Sequence, residues 1–245
     1  LHLSVAAYGR DILVDSGRFT YVGGPWREYF RGTASHNTVL INGAAQKEHA
    51  KTGGDISGQF IRTDSFDAAY GAFEDGYVGF EGAARHERAV YYQRGVFWLV
   101  LDRVTIQRPG TIAAHWHFHP DCAVTTDGLS TLSADEGKGN VRIVPSDGVH
   151  WRRRLARGEE SPAILGWYSR SYNIKEPATT AVYETEGVGE FVFAWLILPG
   201  EGVPGTGAVA VEQGPTGAYR CEVSAGGETY AIELTMDRAF AAAPR

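Results

Sequence analysis

The 245-residue sequence holds only two cysteines, Cys122 and Cys221, a single methionine, and no apolar run near the roughly 18 residues that a spanning helix needs. Two cysteines exclude a disulfide-stapled scaffold and the cysteine-rich zinc modules, and leave at most one bridge. Positive charge is in deficit: Lys+Arg 23 against Asp+Glu 29 gives a formal charge of −6. A nucleic acid or an anionic membrane surface is therefore not an expected partner, since both call for net or strongly local positive charge. No glycine-rich phosphate cradle, nucleophile elbow or paired-histidine helical zinc motif is present. Neither cysteine sits where a thiolate would be stabilised. The sequence opens at Leu1 without a methionine, a basic leader or an apolar leader, and so reads as a piece of a longer protein or a processed product.

What is present points to strands. The 31 glycines and 10 prolines are spread along the chain, with short β-rich runs between them. Residues 11–15, 38–41, 88–92, 96–101, 141–144, 181–185, 190–198, 208–212, 219–223 and 229–234 are such runs. Roughly a dozen strands at short spacing, with turn residues between them, indicate a large antiparallel β-sandwich. The length fits one all-β domain over residues 1–245. Residues 191–198 are nearly all apolar and belong at the centre of a sheet, whereas the alternation over 88–92 implies one wet face. Residues 25–34 have room for one or two helical turns, and 151–157 for another.

Histidine, tyrosine, arginine and carboxylate chemistry remains. The stretch from Asp15 to Thr38 gathers Asp15, Arg18, Tyr21, Arg27, Tyr29, Arg31, His36 and Asn37. Taken singly, Asp15 before Ser-Gly is a turn cap, His36 a hydrogen-bonded structural residue and Tyr21 a half-buried strand-end tyrosine. Taken together, they place cationic and polar aromatic groups where a loop can face a ligand. A second constellation is His115-Trp-His-Phe-His119, in which a period of two puts His115, His117 and His119 on one strand face. Such a face either binds a metal, as in cupin-like sandwiches, or is a polar strand face of hydrogen-bonded imidazoles, and the second reading is favoured. His86 and Arg88 read as sheet support. The basic run 151–157 reads as a solvated turn, with reception of an acidic sugar as its other reading. Trp167, Tyr168 and Tyr172 read as core aromatics that also suit sugar stacking.

The order Ala-Tyr-Gly-Arg-x-Ile-Leu-Val-Asp15-Ser-Gly, a turn with Tyr21, and then Tyr-Phe-Arg-Gly-Thr-Ala-Ser-His36-Asn-Thr-Val resembles the start of the C-terminal β-sandwich of the heparinase II/III-like polysaccharide lyases, a family that includes oligo-alginate lyases. Later segments agree: His86-Glu-Arg-Ala-Val, Phe97-Trp-Leu-Val-Leu-Asp102-Arg-Val, Trp116-His-Phe-His-Pro120 and Gly166-Trp-Tyr-Ser-Arg-Ser-Tyr172. The resemblance runs over nearly the whole chain, and Thr-Ala-Ser-His-Asn-Thr is its most specific part.

The resemblance implies an N-terminal α/α toroid, absent from this sequence, with the substrate cleft between toroid and sandwich. It implies β-elimination at a uronic acid of an anionic polysaccharide or oligosaccharide. That chemistry needs a base near C5 and cations or donors at the carboxylate. Tyrosine serves as the base only if cations or hydrogen bonds favour the phenolate. Tyr21 is then the catalytic tyrosine, with Tyr29 as runner-up, and Arg18, Arg27, Arg31 and Asn37 bind substrate. Asp15 and His36 match two protein ligands of a structural zinc, the third being a histidine expected upstream of Leu1. His2 is assigned to the following strand and not to the ligand position. On this reading the isolated sandwich is inactive, and a polymer substrate favours an exported protein. The alternatives are a non-catalytic carbohydrate-binding or structural β-module, and a cupin-like metalloprotein using His115, His117 and His119.

Overall fold

β-branched and aromatic runs punctuated by glycine turns build eighteen strands among the described residues of the computed structural model, which are 1–48, 59–215, 217–237 and 240–244. The chain begins with β1 (Val5–Ala7) and β2 (Arg10–Leu13), then a helix α1 (Pro25–Arg31) and a 3₁₀ turn (Thr33–Ser35). There follow β3 (Val39–Ile41), β4 (Phe60–Arg62), β5 (Phe66–Phe73), β6 (Ala84–Gln93), β7 (Phe97–His117), β8 (Val124–Asp127) and β9 (Ser130–Ser133). Next come β10 (Gly139–Pro145), β11 (Arg152–Arg157), β12 (Trp167–Ser171), β13 (Ile174–Pro177) and β14 (Thr179–Glu201). The last four are β15 (Gly207–Gln213), β16 (Tyr219–Ala225), β17 (Glu228–Thr235) and β18 (Ala241–Pro244). Proline at the first position and a glycine on either side bound the helix, which is the only α-helix among the described residues.

Ten strands form one antiparallel sheet in the order β4-β5-β6-β7-β14-β10-β9-β8, with β3 added to β7 and β11 to β14. β15 to β18 form a four-stranded antiparallel sheet, and β1-β2 and β12-β13 are hairpins. β7 and β14 are the spine. They pair from His117↔Thr180 to Trp98↔Ile197 and slip register only at Gly187/Gly189. The expectation of two separate strands at 181–185 and 190–198 is thereby corrected. Between Gly187 and Gly189 the register slips by two because residues 107–109 of β7 bulge out opposite residue 188, and pairing resumes beyond the slip.

Alternate residues of the spine feed two cores. Val100, Val104, Phe193, Trp195 and Ile197 pack with Val5, Ile12, Leu13 and Trp116 on one face. Phe97, Leu99, Leu101, Ala194, Leu196 and Leu198 meet the small sheet through Val209, Cys221, Val223 and Ile232 on the other. Two covered faces explain the unbroken apolar run in β14. Cys122 belongs to the first core and Cys221 to the second, and both are free thiols.

Two local expectations are overturned. Residues 152–157 are the strand β11 on the N-terminal half of β14, not a helical turn, and their arginines find partners: Arg152 pairs with Glu186 and Arg154 with Glu159. The 88–92 segment has no wet face at Arg88, because Arg88 is buried on Asp102 with bonds of 2.8 and 3.0 Å. Asp102 also accepts from His86 at 2.7 Å and from the Trp195 indole at 3.0 Å. His86 and Arg88 therefore support the sheet, as read from the sequence.

Candidate functional site

The site grows from the end of β2. The Val14 amide donates to the His117 carbonyl at 2.9 Å, and the Ser169 amide to the Ser16 carbonyl at 2.8 Å, so the strand leaves pinned between β7 and β12. Gly17 makes the exit possible. Its φ is +85°, and a Cβ there would fall on the Ser169 carbonyl oxygen. The Gly17 amide caps the Asp15 carboxylate at 2.8 Å. Beyond it, Phe19 packs on Trp26 and Phe30 of α1. The Lys175 ammonium lies 4.1 Å from the Trp26 ring centre, 4.8 Å from that of Trp167 and 5.6 Å from that of Phe19. This cation–aromatic box joins the β12-β13 hairpin to the helix.

Between loop and hairpin lies an open cleft of about 540 Å³ lined by Asp15, Arg18, Tyr21, Ser169, Arg170 and Tyr172, among others. Tyr21 is 60% exposed. The Arg18 guanidinium donates to its hydroxyl and lies 4.9 Å from the ring centre, and Arg27 approaches the same ring at 5.3 Å. Tyr172 faces Tyr21 with ring centres 6.1 Å apart. Arg170 is held by Asp121 and Glu176, each at 2.6 Å.

At the cleft's edge the His36 Nδ1 and Asp15 Oδ2 atoms are 2.8 Å apart. The His2 ring meets the His36 ring edge-on at 5.6 Å. Donor atoms of His2, Asp15 and His36 all lie within 4.8 Å of one another. His2 is thus beside the other two, contrary to its assignment to a strand: β1 begins only at Val5, and the residues before it are free to turn the imidazole back toward His36. His2 Nδ1 accepts from the Asn37 amide at 3.0 Å, and its Nε2 is 2.8 Å from Ser4 Oγ. Burial holds His2 down to about 4, so the ring is neutral at pH 7. Burial pushes the Asp15 carboxyl up, but His36 and the Gly17 amide draw it down further, and it ends below the usual carboxylate range.

The other expected residues are placed differently. Tyr29 is buried, its hydroxyl hydrogen-bonded to the Trp167 backbone, and burial raises its pKa, so it faces no ligand. Arg31 pairs with Glu48 and does not line the cleft. Asn37, expected to bind substrate, is fully buried, with its carboxamide spent on the backbone at Leu3, Val14 and His117. His115 and His117 are buried as well. His115 approaches the Ala34 carbonyl at 3.2 Å and His117 the Thr180 hydroxyl at 2.8 Å, while His119 turns to Asp121. Among the described residues their donor atoms do not gather as those of His2, Asp15 and His36 do. Burial drives His115 down to about 4 and His117 well below the ordinary value.

Residues 1–226 match the family described as Heparinase II/III-like, C-terminal. The chain belongs to that family. No curated protein matches it. Among solved structures, the heparan sulfate lyase HepC from Pedobacter heparinus is similar at 16% identity and a TM-score of 0.72, over 94% of this chain and 35% of that one. Heparinase III is similar at 20% identity and 0.73, over 93% and 34%. A heparinase III described as the BT4657 gene product is similar at 14% and 0.74, over 93% and 35%. At these identities the likeness is one of fold, and the chain spans about a third of the length of these structures. In this heparinase II/III-like sandwich, Arg170 and Ser169 join the cleft although sequence reasoning did not single them out. The only sequence signal was their position in the Trp-Tyr-Ser-Arg-Ser-Tyr172 run.

Proposed function

We propose that this domain is the sandwich part of a polysaccharide lyase that cleaves uronate-containing glycans by β-elimination, and that it is inactive until joined to a helical N-terminal toroid of the same protein. The observation that carries the reading is the exposed Tyr21 phenol in an open cleft, with Arg18 donating to its oxygen and Arg27 at its ring. In the reaction a base takes the proton from C5 of the uronate and the C–H electron pair becomes the C4–C5 double bond. The C4–O bond breaks, and the departing oxygen receives a proton. Tyr21 is the proton carrier supplied by the sandwich. Arg18 and Arg27 offer their charge to the substrate carboxylate, where negative charge grows as C5 loses its proton. Tyr172, beside Tyr21, offers a ring face to a sugar.

A zinc ion fits the donor set of two imidazoles and a carboxylate. His2, Asp15 and His36 would hold it, drawing in from separations of up to 4.8 Å and giving up the hydrogen bond between Asp15 and His36 and one of the two that engage the His2 ring nitrogens. Zinc there supplies no chemistry to the elimination and acts as a structural pin between the chain start, the β2 exit and the β3 entry. Elemental analysis of the purified chain tests that part of the reading.

For the reaction, the decisive experiment follows unsaturated-uronate absorbance on heparan and alginate substrates. It compares the chain alone with the same chain fused to its upstream coding region. Product from the fusion only is expected. Product from the sandwich alone overturns the two-part reading, and no product from either overturns the lyase assignment.

A further inference from the structure

Asn37 occupies a fully buried position directly after His36, and its contacts point to each of the three clustered donors. Its Nδ2 atom donates to the carbonyl of Leu3, the residue after His2, at 2.8 Å, and to the carbonyl of Val14, the residue before Asp15, at 3.2 Å. Its Oδ1 atom accepts the His117 amide at 2.6 Å, which anchors the side chain to the sheet's central strand. Its own carbonyl accepts from Arg88 at 2.6 Å, and the same guanidinium nitrogen donates to the Leu1 carbonyl at 2.8 Å. Two N–H donors and one acceptor in a single rigid plane are what this junction requires, and among side chains of this size only asparagine carries them.

We propose that Asn37 is the positioning residue of the His2–Asp15–His36 set, tying the chain beside each donor to one buried point so that all three converge before any ion arrives. The inference rests on the zinc reading above and assigns the residue that makes the site. Three segments outside the strands and helices, 1–4, 15–17 and 36–38, bring in the donors. An arrangement built from such segments needs a common tether, because each would otherwise lose conformational freedom only when the ion binds. The Val14 carbonyl, whose bond to the carboxamide is buried, would also lose that donor if the carboxamide were removed.

The test uses the whole 245-residue chain, with zinc affinity read by competition against a chromophoric chelator and coordination read from the visible spectrum of the cobalt form. Asn37→Ser leaves one short donor. Asn37→Asp keeps the shape but sets carboxylate oxygens against the two carbonyls. Both are expected to weaken zinc by about tenfold or more, the usual cost of losing a group that orients a ligand, and to change the cobalt spectrum. Tyr183→Phe is the control. It removes a buried hydroxyl that bonds Thr131 and the Leu129 carbonyl and none of the donor-bearing segments, and is expected to lower stability while leaving zinc affinity unchanged. If a variant does not fold without metal, the same quantity is the zinc concentration that restores its β-sheet circular dichroism, again expected about tenfold higher than the concentration that saturates the parent chain. Parent-like affinity and spectrum in both variants overturn the role of Asn37 and leave the zinc site standing. A parent chain that takes up no zinc overturns both together.

Discussion

A phenol that is 60% exposed can lose its hydroxyl with little effect on folding, which makes Tyr21 a clean probe of chemistry. In the complete protein, Tyr21→Phe is expected to lower kcat by about 10²–10⁴-fold, the range for removing a general acid or base. The melting temperature is expected to stay within the small change typical of a surface substitution. Retention of more than a tenth of the parent kcat would remove Tyr21 from the mechanism. The buried imidazoles behave oppositely, contributing to folding and to its pH dependence. Burial lowers His86, His115 and His117, His115 to about 4. The unfolded chain takes up these protons near pH 6.5 and the folded chain at lower pH, about 4 for His115. Between those values the unfolded state binds more protons, so stability is level above about pH 6.5 and falls as the pH drops toward 4. For His115 the slope reaches about 1.4 kcal/mol per pH unit at most, within that window. Urea titrations across this window measure it, and His115→Gln should flatten the slope by one histidine's share; an unchanged slope would mean His115 titrates normally in the folded chain.

At the scale of elements, the cleft depends on how closely the β2 exit lies on β12. Gly17→Ala puts a side chain into left-handed backbone and against the Ser169 carbonyl. It is expected to cost more than about 1–2 kcal/mol and, in the complete protein, to raise KM by shifting the Arg18–Tyr21 wall. Gly23→Ala, with nothing near its added methyl, is expected to be close to neutral in both measurements. Equal effects from the two would show that the close approach at Gly17 does not matter. The same elements show how far the sequence could be read. Alternating and continuous apolar runs revealed the all-β class, because a sheet's pleat writes its faces into residue order. The continuity of β7 and β14 was not legible. Pro109-Gly110 and Gly187-Val188-Gly189 look like turns, and only pairing with a distant strand carries the backbone through them. β11 was missed for a related reason: the glutamates that receive Arg152 and Arg154 are fixed by tertiary structure, not by the run of arginines. Asp15, Tyr21 and His36 were legible as a group because they are close in sequence. Arg170 was not, since tertiary contacts bring its hairpin to the cleft, among them the bonds from Ser169 to Ser16 and from Asn173 to Phe19. The burial of Asn37 was not legible, because an exposed and a buried carboxamide look alike in one dimension.

Over the whole molecule, successive residues of β7 and β14 serve both cores, so neither layer has a spine of its own and the loops of the site stand on a frame that both layers hold rigid. The heparinase II/III-like sandwich also combines two kinds of electrostatic contact that respond differently to added salt. The guanidinium groups at Tyr21 would meet an anionic glycan at an open, solvated surface, where counterions compete. The hairpin bordering that surface is tied to the helix by, among other contacts, the Lys175 ammonium lodged among Trp26, Trp167 and Phe19. Ring quadrupoles hold such a cation at short range, where an ionic atmosphere has little room to intervene. Brine should therefore loosen the hold on a polyanion without changing the aperture that receives it. In steady-state measurements on the complete protein from low to near-molar sodium chloride, KM should climb while kcat stays level. A parallel fall in kcat would mean that the aperture itself gives way, and that a lysine among aromatic rings is not what keeps its width.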